Sequence, residues 1–453
     1  MWRSLLNNSV LGGAEMNKFA KSIKKKMDQC VQRVIWNRER FVNNPKADFI
    51  RTRKISMKTL IEFLITTGAG SLNKELLELF KYSLNLPTKS ALVQQRKKLK
   101  SEALLFLLQE FANSIKAVKK YRGFRLLAID GSRVPVHRNP NDSDTFMITN
   151  QYKTGRNFLH LNALYDIYNK LYLDATIAGC RLANEHIALI ELIKRSPLCK
   201  KVILIADRGY ASYNNIAHLE RKGWKYLIRV KKSDSVSGML TRSKLPANTV
   251  FDEIVSIVMT RRQTNEVKSN PLLYRFLPKG STFDFLPLKS KKSYPMSFRA
   301  VCIKIGIDKY EYLITNLDES FTLEDLKFLY QKRWGIETSF RELKHTIAML
   351  HFKSKKVDLI KQEMYAKMVL YNFCEMVTLH VVIKQDNNRK YSYQTNFSVA
   401  MTICIKFLRS SKDEHPPNVE ALISKYIYPI REGRNFSRDI NIQRCKGFLY
   451  RVA

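Results

Sequence analysis

One segment of the chain alternates strand-like and helix-like patterns in an order that few folds accommodate. Residues 121–230 begin with the apolar run "FRLLAID", which ends at Asp130 and is followed by the predicted turn "GSR". Two further strand-like runs, "HLNALYDIY" and "LYLDATIAG", are joined by Asn169 and Lys170, which predicts a hairpin. The helical segment "NEHIALIELIKR" then precedes "KVILIAD", an apolar run typical of a buried strand, which ends at Asp207.

The segment closes with a helical pattern, "RGYASYNNIAHLERKG", and one more strand-like run, "WKYLIRVK". A strand, a helix and a strand in succession form a βαβ unit, and its strands are parallel. The complete order is strand, hairpin, helix, strand, helix, strand, which is the order of a ribonuclease-H-like fold. The predicted fold class is therefore α/β, with Asp130 and Asp207 at the ends of the first and fourth strands.

The rest of the chain divides around this core. Residues 1–120 are predicted to be helical, because "KTLIEFLITTG" and "LNKELLELFKYSL" carry apolar residues at helical spacing. Residues 231–320 contain several strand-like runs between polar turns, which predicts a β-rich insertion. Helical patterns return in residues 321–400, the predicted second part of the catalytic core, and residues 401–453 form a basic C-terminal region that is predicted to be helical.

The charge balance favours a polyanionic partner. The 453 residues include 79 Lys and Arg against 40 Asp and Glu, a formal net charge of +39. An excess of this size raises the local concentration of phosphate groups and is typical of proteins that act on nucleic acid. A generic basic protein would carry the same excess, so charge alone does not choose between the two.

The cysteines and the apolar runs argue against secretion and membrane insertion. The seven cysteines are scattered and form no CxxC pair, so a zinc site has no support and a reducing cytoplasm fits best. The most apolar run is Met368–Ile383, which is interrupted by Glu375 and His380 and is shorter than the roughly 20 residues that a membrane span needs. We interpret it as a buried core helix, and the N-terminus shows no long apolar signal segment.

A helical stretch near residue 337, "YQKRWGIETSFRELKH", crowds charges beside a core-facing stripe. At about 100° per residue, Tyr330, Arg333, Glu337 and Lys344 fall within roughly 60° of one another, with Arg341 at the edge of the arc. The apolar stripe beside them is Leu329, Ile336, Phe340, Leu343 and Ile347. One interpretation is an exposed face with i,i+4 ion pairs such as Arg333 with Glu337. The other is a functional face, because a single carboxylate among three cations exceeds what simple pairing needs.

The predicted fold gives Glu337 two further carboxylates with which it could bind metal ions. Asp130, Asp207 and Glu337 would together hold two Mg²⁺ (or Mn²⁺) ions, which can activate an attacking oxygen and stabilise a leaving one about 4 Å away in phosphodiester transfer. Carboxylate oxygens are the ligands that such hard cations prefer. Arg333 and Lys344 would then hold the flanking phosphates.

The spacing Y-x2-R-x3-E-x6-K matches Tyr330, Arg333, Glu337 and Lys344, and it resembles the YREK motif of the IS4 family of insertion-sequence transposases. The blocks "AIDGS" and "ADRGY" resemble the surroundings of that family's two catalytic aspartates, and the resemblance covers roughly residues 50 to 400. It implies a DDE transposase that binds the terminal inverted repeats of an element, cleaves double-stranded DNA there and joins the ends to target DNA. A homodimer on the DNA and phosphate contacts by Tyr330 and Arg333 are implied as well.

The resemblance also raises the question of a base-stacking aromatic residue. In some members of the family an aromatic side chain of the insertion stacks on a flipped base, and Tyr310 and Tyr312 in "KYEYLITNL" are the candidates here. Ordinary strand packing is the alternative for both. Arg208, directly after Asp207, is a candidate DNA contact or the member of a local ion pair.

A second candidate DNA-binding element lies in the N-terminal region. Pro87, Thr88 and Ser90 predict a helix start before "ALVQQRKKLKSEALLFLLQEF". This helix offers amide and cationic side chains of the kind that read base edges and hold phosphates, namely Gln94, Gln95, Arg96, Lys97 and Lys98. A helix-turn-helix reader and a solvated basic face remain alternatives.

Two other functions compete with a transposase. A decayed or domesticated DNA-binding protein would have lost a carboxylate, whereas Asp130, Asp207 and Glu337 are all present. A ribonuclease-H-fold nuclease that cuts without joining would keep the same three residues.

Overall fold

The structure is a computed structural model. It describes residues 17–149, 152–381, 383, 390–410 and 415–430. The basic stretch predicted beyond residue 430 lies outside the described residues.

The helices and strands are numbered along the chain. The helices of the described residues are α1 (Lys18–Trp36), α2 (Arg38–Phe41), α3 (Met57–Thr66), α4 (Leu72–Leu79), α5 (Lys89–Arg96), α6 (Glu102–Ser114), α7 (Glu185–Arg195), α8 (Tyr213–Lys222), α9 (Asn265–Ser269), α10 (Leu323–Lys332), α11 (Trp334–Arg341), α12 (Val357–His380), α13 (Phe397–Arg409) and α14 (Val419–Lys425). The strands are β1 (Arg125–Val136), β2 (Phe146–Thr149), β3 (Tyr152–Asp166), β4 (Leu171–Gly179), β5 (Val202–Ala206), β6 (Lys225–Val230), β7 (Phe251–Thr260), β8 (Tyr274–Phe276), β9 (Ser293–Gly306), β10 (Lys309–Thr315), β11 (Tyr393–Thr395) and β12 (Ile427–Pro429).

The chain forms two compact units. The first, here the helical unit, comprises Met1–Lys116, Pro135–Arg138 and Arg341–Ala453. The second, here the sheet unit, comprises Ala117–Val134 and Asn139–Phe340.

A ten-stranded mixed sheet organises the described part of the sheet unit. Its strands run in the order β2-β3-β1-β5-β6-β10-β9-β7-β8, and β4 pairs with β3. The pairs β1–β5 and β5–β6 are parallel, as the βαβ pattern predicted, and α8 connects β5 to β6. The predicted hairpin is confirmed, because β3 and β4 pair in antiparallel register on either side of Asn169 and Lys170.

One local prediction was wrong. The segment "GSR" after Asp130 is not a turn, since β1 continues through Gly131 as far as Val136. Gly and Ser favour turns only where the backbone lacks better hydrogen-bond partners. Here the pairing of β1 with β5 ends at Ile129, and β3 is the neighbouring strand on the other side of β1.

The strands predicted between residues 231 and 320 are present, and they extend the same sheet. β10 pairs with β6 in antiparallel register, β9 pairs with β10, and β7 pairs with β9. Because the strands join edge to edge, this region continues the central sheet and forms no separate layer.

The helical unit is built around α12. Nearly all of this helix is buried, and it packs against α1, α3, α6 and α13. The predicted core helix at Met368–Ile383 is thereby confirmed up to His380. No helix of the described residues is long and apolar enough to cross a membrane.

Candidate active site

The two aspartates are positioned by neighbouring parallel strands. β1 and β5 are in register, with Ile129 opposite Ala206. Asp130 and Asp207 are the next residues along each strand. Every residue of β5 is buried, as are Leu126 through Ile129 in β1, so the sheet fixes the backbone at both carboxylates.

Asp130 is a carboxylate in an electrostatically unfavourable position. Burial, assisted by the nearby carboxylates of Glu337 and Asp207, raises the pKa of its side chain to about 6. Two groups oppose that shift, namely the Gly131 N–H, which donates to Oδ1 at 2.8 Å, and the Arg333 guanidinium. The site therefore holds more negative charge than its own cations neutralise.

Arg333 lies between two of the acidic side chains. Its Nη2 is 2.9 Å from Glu337 Oε1, and its Nη1 is 3.8 Å from Asp130 Oδ2. Because the guanidinium is small and planar, the two carboxylates are within roughly 9 Å of each other. Arg333 is only 5% exposed, and its Nε is buried without a hydrogen-bond partner. The expectation of an exposed ion-pair face is therefore wrong for this residue.

Asp207 is held by different partners. Its Oδ1 accepts a hydrogen bond from the Tyr330 hydroxyl at 3.3 Å and lies 3.0 Å from Arg229 Nε. Arg229 is shared with Glu311, whose Oε1 is 3.4 Å from its Nη1. Burial raises the pKa of Tyr330 above its ordinary value, so the hydroxyl remains a donor. Sequence reasoning missed Arg229, although an arginine inside the apolar run "WKYLIRVK" was an available signal.

The helix that carries the motif is segmented. α10 begins with a capping box in which Thr322 and Asp325 exchange hydrogen bonds with each other's backbone. It ends at Lys332, and α11 starts at Trp334. Glu342–Thr346 then forms a π-helical turn, whose residues follow a wider period than the α-helix.

The segmentation limits what a single helical wheel can predict. Tyr330, Arg333 and Glu337 belong to the sheet unit, whereas Arg341 and Lys344 belong to the helical unit. Arg341 is exposed and Lys344 is partly exposed. The predicted apolar stripe is confirmed, since all five of its side chains are buried. The DNA contacts of Arg341 and Lys344 stay predictions.

The side chains of Asp130, Asp207 and Glu337 are chemically suited to bind a hard divalent cation. The donor set consists of carboxylate oxygens, and the raised pKa of Asp130 shows that a positive charge would be favourable there. Among the described residues, however, no three acidic, histidine or cysteine side chains stand close enough to hold one ion together. Asp130 and Glu337 face the Arg333 guanidinium, which stands where a cation would neutralise them.

The carboxylate of Glu185 lies against the backbone just after both Asp130 and Asp207. A Cβ atom added at Gly131 would stand 2.9 Å from Glu185 Oε1, and one added at Gly209 would stand 2.6 Å from Glu185 Oε2. Glu185 also lies 3.5 Å from His160 Nε2. Burial lowers the pKa of His160, but hydrogen bonds to Cys180 and Glu185 outweigh burial and raise it to about 9. Sequence reasoning missed this pair, because residues 160 and 185 share no recognisable spacing.

The other candidate DNA contacts in the sheet unit differ in their exposure to solvent. Tyr312 is buried, and its hydroxyl accepts a hydrogen bond from Asn248 N at 2.8 Å, so it packs in its strand and is not available to stack on a base. Tyr310 is partly exposed, and its stacking role stays a prediction. Arg208 is exposed beside Asp207 and stays a candidate DNA contact.

Helix α5, which carries the predicted DNA contacts of the helical unit, differs from the prediction at Arg96. Thr88 caps α5 by accepting from Ala91 N, so the predicted helix start is confirmed. Arg96 is buried, and its Nη2 lies 2.6 Å from Glu363 Oε1. The predicted phosphate contact of Arg96 is wrong for this structure, because a guanidinium in a buried ion pair is not available to DNA. Gln94 and Lys97 are exposed.

Comparison with known proteins gives the class. Residues 121–373 match the protein family described as Transposase DDE domain, and the match spans more than half of the chain. The chain therefore belongs to the DDE transposase family, as its three sequence blocks predicted.

Two individual relatives add detail. Transposase InsG for insertion sequence element IS4 of Escherichia coli (strain K12) is 26% identical over 118 residues, which are 25% of this chain and 26% of that protein. The match thus spans about a quarter of that relative, and it supports the resemblance to the IS4 family. A cryo-EM structure of a piggyBac transposase synaptic complex with hairpin DNA is 12% identical and covers 92% of this chain and 84% of that one, with a TM-score of 0.44.

Proposed function

We propose that this protein is a DNA transposase that binds the terminal inverted repeats of an insertion sequence, cleaves there and joins the ends to target DNA. One observation carries the proposal above the others. Asp130 lies in β1 at the point where its pairing with β5 ends, Asp207 directly follows β5, and the buried Arg333 brings Glu337 within roughly 9 Å of Asp130. This arrangement supports one shared site for three carboxylates from distant parts of the sequence.

The strand order supports a ribonuclease-H-like core. From one edge inward, β4, β3, β1, β5 and β6 follow the order 3-2-1-4-5 when these five strands are counted along the chain. Open sheets with parallel strands place their functional residues at the carboxyl ends of those strands. Asp130 and Asp207 come from the first and fourth of these five strands, and residues 231–320 are the insertion that precedes Glu337.

The carboxylates are the proposed ligands of two Mg²⁺ or Mn²⁺ ions, and members of this family generally use divalent metal ions. Bound there, the ions would supply activation of the attacking oxygen and stabilisation of the leaving oxygen. The protein residues contribute orientation. The Tyr330 hydroxyl and Arg229 fix the direction of the Asp207 carboxylate, and the Gly131 N–H fixes one oxygen of Asp130.

Arg333 has a second proposed role besides its contacts in the present structure. Its guanidinium is desolvated, and it can form paired hydrogen bonds with a phosphate as readily as with a carboxylate. With cations bound at Asp130 and Glu337, the Arg333 guanidinium would be free to hold the phosphate beside the scissile bond. Tyr330, Lys344, Arg341 and Arg208 are the other proposed contacts.

The remaining partners follow from this function. Double-stranded DNA is the substrate, both at the element ends and at the target, and a homodimer is the proposed assembly on it. The N-terminal region, residues 1–120, is the proposed end-binding region, and the chain acts on the nucleoid in the cytoplasm. The net charge of +39 supports these assignments, because association with DNA is driven by the release of counterions from phosphates.

The proposal is tested with duplex DNA that carries the repeats flanking this coding sequence, in the presence of Mg²⁺. Asp207→Asn and Glu337→Gln should each slow cleavage roughly 1,000-fold or more, because several kcal/mol of transition-state stabilisation are lost. DNA binding should stay within a few-fold of the wild type. Glu324→Gln is the matched control, since Glu324 is an exposed carboxylate on α10 and its loss should leave cleavage unchanged.

Arg333→Lys separates charge from geometry. Lysine keeps the positive charge but cannot form the paired contacts of a guanidinium, so cleavage should fall while the protein remains folded in thermal melting. Products that are cut but never joined would indicate a nuclease. DNA binding without any cleavage by the wild type would indicate a decayed or domesticated protein.

A further inference from the structure

A polar cavity lies in the helical unit, apart from the carboxylates described above. The loop that connects α2 to α3 wraps around a cavity of about 510 Å³, and the last turn of α5 closes its other side. The cationic and amide side chains that line it are Lys46, Arg51, Arg53, Gln95 and Lys98.

The cavity carries an excess of positive charge. Arg51, Arg53 and Lys46 are exposed, and none of the three has an ionic partner in the part of the chain that the structure describes. Asp48 is the single carboxylate among the lining residues, and it lies 3.9 Å from Lys98 Nζ. Three unneutralised cations on one short loop repel one another, so an anion bound among them would be stabilised.

The first part of the loop, residues 44–48, is held in place without a ligand. The Arg38 guanidinium donates to Pro45 O at 2.8 Å and to Asp48 O at 2.7 Å. Asp48 Oδ2 in turn accepts from Asn44 N at 2.8 Å. Binding therefore needs little ordering of the backbone around Lys46, which lowers its entropic cost.

Gln95 gives an independent sign of a ligand. It is only 6% exposed, it lines the cavity, and its side-chain amide makes no hydrogen bond to any described residue. An amide that faces a basic cavity can donate its N–H groups to a phosphate oxygen.

We propose that this cavity binds backbone phosphates of double-stranded DNA, with Arg51 and Arg53 as the principal contacts and Gln95 as a hydrogen-bond donor. Duplex DNA is favoured over a small anion because the three cations are exposed along an extended loop, as a backbone with successive phosphates requires. The choice of duplex DNA rests on the proposed function, whereas the anion site itself does not.

The test measures the affinity of the full chain for a fluorescent duplex of arbitrary sequence by anisotropy, in EDTA and at several salt concentrations. R51A/R53A should weaken binding roughly 10- to 100-fold near 0.1 M salt and lower the salt-dependence slope by about two. K291A/K292A is the matched control, because it also removes two exposed cations, which lie outside residues 1–120 and do not line the cavity. It should change the affinity by less than about threefold.

Q95L distinguishes a ligand contact from a packing role. Leucine keeps the approximate size and removes the amide, so the melting temperature should not fall while DNA affinity does. Equal losses in R51A/R53A and K291A/K292A, or an unchanged salt slope in R51A/R53A, would overturn the proposal. Millimolar inorganic phosphate that raises the melting temperature of the wild type but not of R51A/R53A, together with unchanged DNA affinity, would assign the cavity to a free anion and refute the DNA assignment. Because no cleavage is measured, failure of the transposase function would appear separately.

Discussion

Replacing Asp130 with Asn should stabilise the metal-free protein while abolishing its cleavage activity. The pKa of Asp130 is about 6 in the folded chain against an ordinary value of 3.8. Each unit of difference corresponds to about 1.4 kcal/mol, so the ionised side chain costs up to about 3 kcal/mol of folding free energy. That value already includes the attraction of Arg333, which lowers the pKa. Asparagine keeps an oxygen for the Gly131 N–H and carries no charge.

The pH dependence follows from the sign of the shift. A raised pKa means that the folded protein holds the proton to higher pH than the unfolded chain does. The stability of the wild type therefore falls as the pH rises from about 4 to about 6, and the loss is complete above that range. Asp130→Asn lacks this loss, so the difference between variant and wild type should grow over the same interval and then level off.

Thermal unfolding in EDTA between pH 4 and pH 8 measures the effect. At roughly 2 to 4 °C per kcal/mol for a unit of this size, the variant should melt several degrees higher at pH 7.5. Asp207→Asn is the control and should melt lower, because it removes the contacts with Arg229 and Tyr330. Added Mg²⁺ should raise the melting temperature of the wild type and not that of Asp130→Asn. A variant that is no more stable than the wild type, or a pH-independent difference, would refute the reasoning.

Two further predictions concern packing. Gly131→Ala should cost about 1–3 kcal/mol of stability and impair cleavage, because its Cβ would stand 2.6 Å from His160 Nε2, whereas Gly280→Ala has open space and should be nearly neutral in the same urea titration. Arg96→Ala should destabilise the protein by about 3–5 kcal/mol, because the buried Glu363 loses its guanidinium partner and keeps the Lys353 N–H, and the salt-dependence slope of DNA binding should not fall; a lowered slope with unchanged stability would restore the phosphate role.

The sequence predicted the core because its signals are local. The apolar run before Asp207, the hairpin at Asn169 and Lys170, and the helix start at Thr88 each depend on residues only a few positions apart. Such patterns identify strands, turns and helix starts directly. The paired strands then place the two aspartates side by side, which periodicity and the βαβ rule together anticipate.

The errors arose where distant residues decide the outcome. Arg96 belongs to a run of cations that looks solvent-facing, yet its partner Glu363 comes from a helix far along the chain. An exposed ion-pair face was one of the two interpretations for Arg333, and this residue is buried between Glu337 and Asp130, a second carboxylate from a distant strand. The basic loop at Arg51 and Arg53 shows no periodicity, so only the folded chain reveals the cavity that it encloses.

The position of α12 has a consequence for synthesis on the ribosome. The helix packs against α3 and α6, but the whole sheet unit is translated between them. At roughly 5 to 20 residues per second, the apolar faces of the first helices wait on the order of 10 to 50 seconds for their partner. The sheet unit can fold during that interval, whereas the helical unit cannot be completed until the ribosome has passed His380. A nascent chain interrupted before that point would keep the basic loop but lack the core helix that supports it, and would be a target for chaperones and proteases.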